Sequence, residues 1–232
     1  MSEKEKFFTS RVFLSVSIFV LLAPTLPLLV SGRWNWWEAW VYALISILTF
    51  VISRVLANRH SPGILAERGK MMAQSDTQPW DRVLVPLVGL GYLLLMLAVG
   101  LEARFGQPPA FSLAVRLVAL LLYIGGMAWS SLALIENSFF SGTVRLQSER
   151  GHKVVNSGPY AVMRHPGYSG ALLTYLVTPV LLEAWWGFAA AVFLLIVLVI
   201  RTSLEDRFLQ DNLPGYKDYA ARVRYRLLPG VW

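Results

Sequence analysis

The sequence contains no cysteine and only three histidines, and only 15% of its 232 residues are charged. The lack of cysteine excludes disulfide bonds, thiolate metal sites and a catalytic cysteine. The sequence shows no pair of histidines spaced for metal binding and no cluster of carboxylates, so we expect no metal. In contrast, 56% of the residues are hydrophobic and the mean hydropathy is +0.52, which is typical of a membrane protein.

Basic residues outnumber acidic ones, 21 to 14, which gives a formal net charge of +7 and a pI of about 9.9. In a soluble domain this charge would suggest nucleic-acid binding, but in so apolar a chain it first indicates topology. All basic residues except Arg33, Arg104 and Arg116 fall near the N-terminus, in two long loops or towards the C-terminus. We therefore expect no nucleic-acid partner, and a topology that places these segments on one side of a membrane.

Long apolar runs predict the segments that cross the membrane. The length of each of four runs is close to that of a membrane-spanning helix, which needs about 20 residues to cross a hydrocarbon core of about 30 Å. A fifth run, 171–200, is too long for one crossing and contains Pro179 and Glu183. This run predicts a hairpin of two helices, 171–182 and 185–201. The four predicted spans are residues 13–31, 36–52, 83–101 and 113–134.

The predicted fold is all-α, with four transmembrane helices followed by a C-terminal helical hairpin in a single domain of residues 1–232. Residues 1–134 would form the four-span membrane part, and residues 135–232 the part that contains the hairpin. Cytoplasmic loops carry an excess of Lys and Arg, so we expect both termini in the cytoplasm. In a bacterium the protein would be a multi-pass protein of the inner membrane, with a pocket at its cytoplasmic edge.

The stretch GPYAVMRHPGYSG, residues 158–170, places polar and rigid residues directly before the predicted hairpin. Pro166 disfavours a helical conformation at the preceding residue and is itself suited to the first turn of a helix. Arg164 and His165 would then lie at a helix N-terminus, where anions bind readily. The alternative is a basic membrane anchor, with Tyr168 as an interfacial aromatic residue.

Arg201 and Glu205 are four residues apart near the end of the hairpin, so they share one helix face. They could form a simple pair with a snorkelling arginine, or they could serve a site at the membrane edge. Asp206 lies elsewhere on the helix and could be plain solvated surface. Because a short hairpin returns both its ends to one side, Arg201 and Glu205 would meet His165 and Tyr168 in a pocket that suits a polar cofactor and a lipophilic substrate.

These motifs carry a resemblance to a known family. The pattern G-x-Y, R-H-P-x-Y-x-G, R-x-x-x-E-[ED]-x-x-L and G-x-x-x-Y resembles the isoprenylcysteine carboxyl methyltransferase family and its phospholipid methyltransferase relatives. It covers about the last 95 residues and extends weakly to residues 61–84, which resemble the bacterial branch. The matching residues are Gly158, Tyr160, Arg164 to Gly170, Arg201, Glu205, Asp206, Leu209, Gly215 and Tyr219.

The resemblance implies an integral membrane enzyme that uses S-adenosylmethionine (SAM) to methylate a lipophilic acceptor among membrane lipids. Residues 135–232 would be its cofactor-binding and catalytic part. Arg201 matches the position that holds the substrate carboxylate, and Arg201 and Glu205 are the expected catalytic residues. Gln147 is a looser match than the other residues expected to bind the cofactor. Those residues are Gln147, His152, Lys153, Val154, Val155, Tyr160, His165, Pro166, Gly167, Tyr168 and Glu205.

Three alternatives to carboxylate methylation remain open from the sequence. A phospholipid amine could be the methyl acceptor, in which case a base would be required and Glu205 would be the candidate. An NADPH-dependent isoprenoid or sterol-type membrane reductase would have a similar C-terminal hairpin. A non-enzymatic scaffold or a transporter is the third class, although the predicted spans carry few of the polar residues that a transporter needs.

Overall fold

The computed structural model of the protein describes residues 3–70 and 74–232, with side chains described from Val16 onwards. This part of the chain is helical and contains no β-strand, apart from loops and the two 3₁₀ turns Ser148–Arg150 and Gly158–Ala161. The all-α prediction is confirmed. The α-helices are α1 Glu3–Ser31, α2 Trp37–His60, α3 Ile64–Gly69, α4 Asp81–Phe105, α5 Leu113–Glu136, α6 Pro166–Leu181, α7 Trp185–Asn212 and α8 Tyr216–Arg222.

Four helices, α2, α4, α5 and α7, are long and apolar enough to cross a membrane, with mean hydropathy between 1.9 and 2.4 over their most apolar segments. Their outward faces carry exposed aliphatic side chains such as Leu44, Leu121 and Ile196. Large exposed apolar surfaces of this kind are typical of helices that face lipid. The chain therefore has the fold of a polytopic membrane protein.

The set of long apolar helices differs in part from the four predicted spans. The first predicted span lies in α1, of which the described apolar part, Val16–Ser31, is shorter than the other four, and the side chains of residues 13–15 lie outside the described part. The second half of the hairpin, α7, is itself a full-length candidate span of 28 residues. It continues 11 residues beyond Arg201. Its last turns pack against α8 and the segment that precedes α6, instead of ending at the membrane edge.

The predicted hairpin is formed by α6 and α7, and local chemistry sets its ends. Pro166 is the first residue of α6, where its missing N–H costs no hydrogen bond. Glu183 turns the chain between the helices with a φ of +51°, an uncommon value for a residue with a side chain. Its carboxylate accepts a hydrogen bond from the backbone N–H of Phe111 at 3.0 Å and lies 3.5 Å from the guanidinium of Arg116, which holds this conformation.

The hairpin is fixed by close contacts with the preceding helices, α6 against α5 and α7 against α4. At the α5–α6 crossing the two backbones touch, since a Cβ atom added at Gly170 would lie 2.5 Å from the carbonyl oxygen of Gly126. Small residues permit this kind of approach between membrane helices. The contact fixes the first turns of α6, and with them the Arg-His-Pro stretch that begins this helix, at a defined height along α5.

We expect the substitution Gly170→Ala to destabilise the protein by about 1–3 kcal/mol, because the added methyl group must push two helix backbones apart. The measurement is thermal unfolding of the purified protein in detergent. Gly125→Ala is the matched control, since a Cβ atom at Gly125 meets nothing within 4 Å. An unchanged melting temperature in Gly170→Ala would contradict the close contact between α5 and α6.

Candidate functional site

A pocket lies where the long loop between α5 and α6 meets the start of α6, the last turns of α7 and helix α8. The space between protein atoms, counted out to the open mouth of the pocket, is about 800 Å³. Pro166 does not line it, although it starts the helix whose next residues do. The predicted site residues that line it are Gln147, His152, Lys153, Val154, Val155, Tyr160, His165, Gly167, Tyr168, Arg201 and Glu205.

One wall of the pocket is an extended loop segment, residues 153–156. Within the described part of the chain, no hydrogen bond is formed by the backbone N–H or C=O groups of these residues. Lys153, Val154 and Val155 line the pocket, so their backbone groups are available to a bound molecule. The contact of these three residues with a cofactor, which the resemblance implies, stays a prediction.

His152 anchors the start of this segment in its neutral form. Its Nδ1 accepts a hydrogen bond from the backbone N–H of Gln147 at 3.3 Å, which leaves the proton on Nε2. Its ring packs 4.7 Å from the ring of Phe139. Burial, together with the positive charges of Arg145 and Arg150, lowers the pKa of His152 to about 4.

Gln147 is buried completely, and its side chain is occupied within the loop. Its amide nitrogen donates a hydrogen bond to the carbonyl oxygen of Phe139 at 2.7 Å, and its amide oxygen accepts one from Arg150. The residue therefore shapes the wall of the pocket through the loop backbone. Its contact with a cofactor stays a prediction.

At the opposite wall, α6 and α7 bring two predicted residues into direct contact. The hydroxyl of Tyr168 donates a hydrogen bond to the carboxylate of Glu205 at 2.5 Å, across 37 positions of sequence. The rings of Tyr168 and His165 are parallel within 2°, with their centroids 5.8 Å apart. The guanidinium of Arg201 lies 5.0 Å from the centroid of the Tyr168 ring. The hairpin thus returns its two ends to one site.

The surface interpretation proposed a simple pair between Arg201 and Glu205. The structure shows a different partner for Arg201. It forms two hydrogen bonds with the fully buried carboxylate of Asp81, from Nε at 2.7 Å and from Nη2 at 3.1 Å. The reason is that α7 packs against α4, whose first residue is Asp81. The same carboxylate accepts a hydrogen bond from the backbone N–H of Val144 at 2.6 Å. It therefore joins α4 and α7 to the long loop between α5 and α6, here called the pocket loop.

The interpretation of Asp206 as solvated surface is wrong. Its carboxylate is fully buried and accepts two hydrogen bonds from the guanidinium of Arg164, at 2.7 and 2.9 Å. Arg226 donates from the C-terminal tail at 2.9 Å, and the hydroxyl of Tyr216 donates from α8 at 3.1 Å. His165 Nε2 lies 3.3 Å away. The Arg-His pair is therefore bound to α7 through this single carboxylate.

Sequence reasoning missed several pocket residues that come from the loop and from α8. The hydroxyl of Tyr219 donates to the carbonyl oxygen of Tyr160 at 2.7 Å, and Asn137 donates to the hydroxyl of Tyr160 at 3.2 Å. Burial raises the pKa values of both tyrosines, so both stay neutral. Tyr219 could have been found from its match to the G-x-x-x-Y pattern. The other missed lining residues include Phe139, Phe140, Arg145, Leu209, Leu213 and Tyr216.

We expect Asp206→Ala to lower the free energy of unfolding by about 3–5 kcal/mol, because it leaves the buried guanidinium of Arg164 without its carboxylate. The measurement is thermal or denaturant unfolding in detergent. Asp211→Ala is the control on the same helix, since the side chain of Asp211 is exposed and lies 4.0 Å from an exposed Arg207. Equal stability of the two variants would overturn the role given to Asp206.

A second expectation concerns pH. The folded protein keeps His152 neutral down to about pH 4, whereas an unfolded histidine takes up a proton near pH 6.5. The unfolded state therefore holds more protons in this window, and the protein should lose stability as the pH falls from 6.5 to 4. In parallel unfolding measurements, His152→Asn should lack this part of the loss. Identical pH dependence in both proteins would contradict the lowered pKa.

Among the residues that the structure describes, no group of three or more histidine, aspartate or glutamate side chains is placed to hold a metal ion. The pocket instead combines aromatic rings, one half-buried carboxylate and arginine side chains. Its donor set fits an organic molecule that carries both cationic and anionic groups.

Comparison with known proteins shows which family the segment that carries this site is similar to. Residues 112–214 match the model of the phospholipid methyltransferase family. Over 69 residues the chain is 38% identical to a probable protein-S-isoprenylcysteine O-methyltransferase of Oryza sativa subsp. indica, covering 29% of this chain and 36% of that protein. Over 105 residues it is 29% identical to protein-S-isoprenylcysteine O-methyltransferase B of Arabidopsis thaliana, covering 44% of this chain and 53% of that protein.

The chain thus matches about a third to a half of the length of these curated relatives. The segment matched by the family model carries α5, the pocket loop, α6 and α7, and with them most of the residues that line the pocket. The resemblance found in the sequence is confirmed. The match over residues 112–214 and the similarity to these relatives support membership of the family of phospholipid and isoprenylcysteine methyltransferases.

Proposed function

We propose that the chain is a SAM-dependent methyltransferase that acts on the carboxylate of a lipophilic acceptor, a prenylcysteine-like or related amphiphile, at the inner leaflet. The observation that carries this proposal is the pocket itself. Its polar wall is built from the loop and α8, and its other wall from the ends of α6 and α7, which continue into apolar helices. A water-soluble cofactor and a lipid-embedded acceptor can reach such a place from two sides.

The relatives support the proposed reaction class. Their names describe methyl transfer to an oxygen atom of isoprenylcysteine, and the family model describes phospholipid methyltransferases. The pocket contains a residue type suited to each part of the proposed cofactor. SAM, when bound, supplies an electrophilic methyl group on a sulfonium centre.

The aromatic and acidic residues of the pocket would hold the cofactor. The ring faces of Tyr160 and Tyr168 can stabilise a sulfonium cation, as aromatic faces do for other cations. Glu205 can accept hydrogen bonds from an ammonium group or from ribose hydroxyls, and the Tyr168 hydroxyl fixes the orientation of its carboxylate. The unpaired backbone of residues 153–155 can bind polar edges of the molecule.

The remaining task of the chain is to align the acceptor. A carboxylate is ionised near neutral pH and needs no general base, so positioning and exclusion of water are what the protein must provide. Arg201 would bind the acceptor carboxylate beside Tyr168, as the family resemblance implies. For an amine acceptor a base would be needed, and the carboxylate of Glu205 already accepts the Tyr168 hydroxyl proton in a hydrogen bond.

Sidedness is part of the proposal. The loop that forms the pocket, the start of α6 and the segment after α7 carry most of the basic residues of the C-terminal half. By the excess of Lys and Arg in cytoplasmic loops, the pocket would open to the cytoplasm, and both termini would lie on that side.

The substitution Glu205→Gln tests the cofactor site. We expect at least a tenfold loss of affinity for S-adenosylhomocysteine, since the variant replaces a charge-assisted hydrogen-bond acceptor by a neutral one. Affinity is measured by calorimetric titration of the purified protein in detergent. Asp218→Asn, at an exposed position of α8, serves as the control and should bind like the wild type. Failure of the intact wild-type protein to bind S-adenosylhomocysteine would refute the proposed function.

A further inference from the structure

Arg201 is not an uncommitted cation. Two of its nitrogen atoms, Nε and Nη2, bind the fully buried carboxylate of Asp81, and Nη2 also donates to the carbonyl oxygen of Gly142 at 3.1 Å. The positive charge of Arg201 is therefore balanced by Asp81. Only Nη1 has no hydrogen-bond partner among the described residues, so Arg201 offers an incoming carboxylate one nitrogen rather than a complete guanidinium edge.

A second guanidinium, that of Arg68 in α3, borders the same loop. Its Nη1 donates a hydrogen bond to the carbonyl oxygen of Phe140 at 3.0 Å, and its guanidinium lies 5.3 Å from the centroid of the Phe140 ring. Arg68 and Arg201 thus hold carbonyl groups that are two residues apart, at Phe140 and Gly142. Both Phe140 and the intervening Ser141 line the pocket.

Arg68 differs from Arg201 in its charge balance. Within the described part of the chain, no carboxylate lies within 4.0 Å of Arg68, whereas the arginines that line the pocket, Arg145, Arg164 and Arg201, each have at least one. Burial and the positive charge of Arg201 lower the pKa of Arg68 to about 10, so it still carries its charge at neutral pH. A half-buried cation without a counter-ion is costly, and an anionic ligand would remove that cost.

We propose that Arg68, acting together with the remaining nitrogen of Arg201, binds the carboxylate of the acceptor next to the Phe140–Gly142 segment. This inference rests on the proposed function and makes Arg68 the residue that selects anionic acceptors. The Arg201–Asp81 pair is neutral as a unit, so the net positive charge at this place comes from Arg68. An acceptor amine, which is protonated near neutral pH, would meet repulsion there.

The test compares Arg68→Gln and Arg68→Lys with the wild type, using Arg59→Gln as the control. Arg59 lies exposed in the last turn of α2, close in sequence to α3. The acceptor probe is N-acetyl-S-farnesylcysteine, and its neutral carboxamide is the matched ligand without the charge. The readouts are calorimetric binding of both probes in the presence of S-adenosylhomocysteine, binding of S-adenosylhomocysteine itself, and methyl transfer from radiolabelled SAM.

We expect Arg68→Gln to weaken binding of the acid by roughly 10- to 100-fold, the usual range for loss of a hydrogen bond to a charged group. Binding of the carboxamide and of S-adenosylhomocysteine should change less than about threefold, which also shows that the variant is folded. Arg68→Lys, which keeps the charge but loses the planar donor pair, should fall between the wild type and Arg68→Gln.

The outcomes separate the two proposals. If the wild type methylates the acid and Arg68→Gln binds and methylates it as well as Arg59→Gln does, the role of Arg68 is overturned while the proposed function stands. If the wild type binds the acid but transfers no methyl group to it, the proposed reaction is overturned, and the comparison of binding still decides the role of Arg68. If the wild type methylates phosphatidylethanolamine in vesicles instead of the acid, both proposals are overturned.

Discussion

The site depends on the burial of one carboxylate, that of Asp206 in α7. A buried charge is tolerated only when it is paired and hydrogen-bonded, and Asp206 receives donors from the start of α6, from α8 and from the C-terminal tail. Two of these segments, the start of α6 and α8, line the pocket together with α7 itself. Asp206 therefore fastens together parts of the chain that also meet through backbone hydrogen bonds from Arg164 and His165 to the C-terminal tail.

The same rule operates about one and a half turns earlier in α7, at Arg201. Its guanidinium is satisfied by Asp81 from α4, which also holds the loop through Val144. Between the two ion pairs lies the hydrogen bond from Tyr168 to Glu205. Charges at the end of a membrane helix are expensive, and here two of the buried ones are neutralised by partners on other elements. What remains for a ligand is a half-buried acid, aromatic faces and the guanidinium of Arg68.

Much of this arrangement could be predicted from the sequence. The apolar runs and the charged, proline-containing stretch before residue 171 predicted an all-helical membrane fold and a terminal hairpin, because hydropathy alone decides which segments can be buried in lipid. The hairpin in turn predicted that Tyr168 and Glu205 would meet, since its two ends must lie together. The site motifs were recognisable because they are short and local, and the family that they indicated is the one that the comparisons support.

The sequence by itself determined the helices, the hairpin and the residue types gathered at its open end. Only the tertiary structure decided which charges neutralise each other there. The four-residue spacing places Glu205 on the same face as Arg201, but spacing gives a direction and not a neighbour. Asp81, which lies 120 residues earlier, occupies that place because α4 packs along α7. Asp206 is buried for the same reason: a helix face becomes core or surface only when another element covers it.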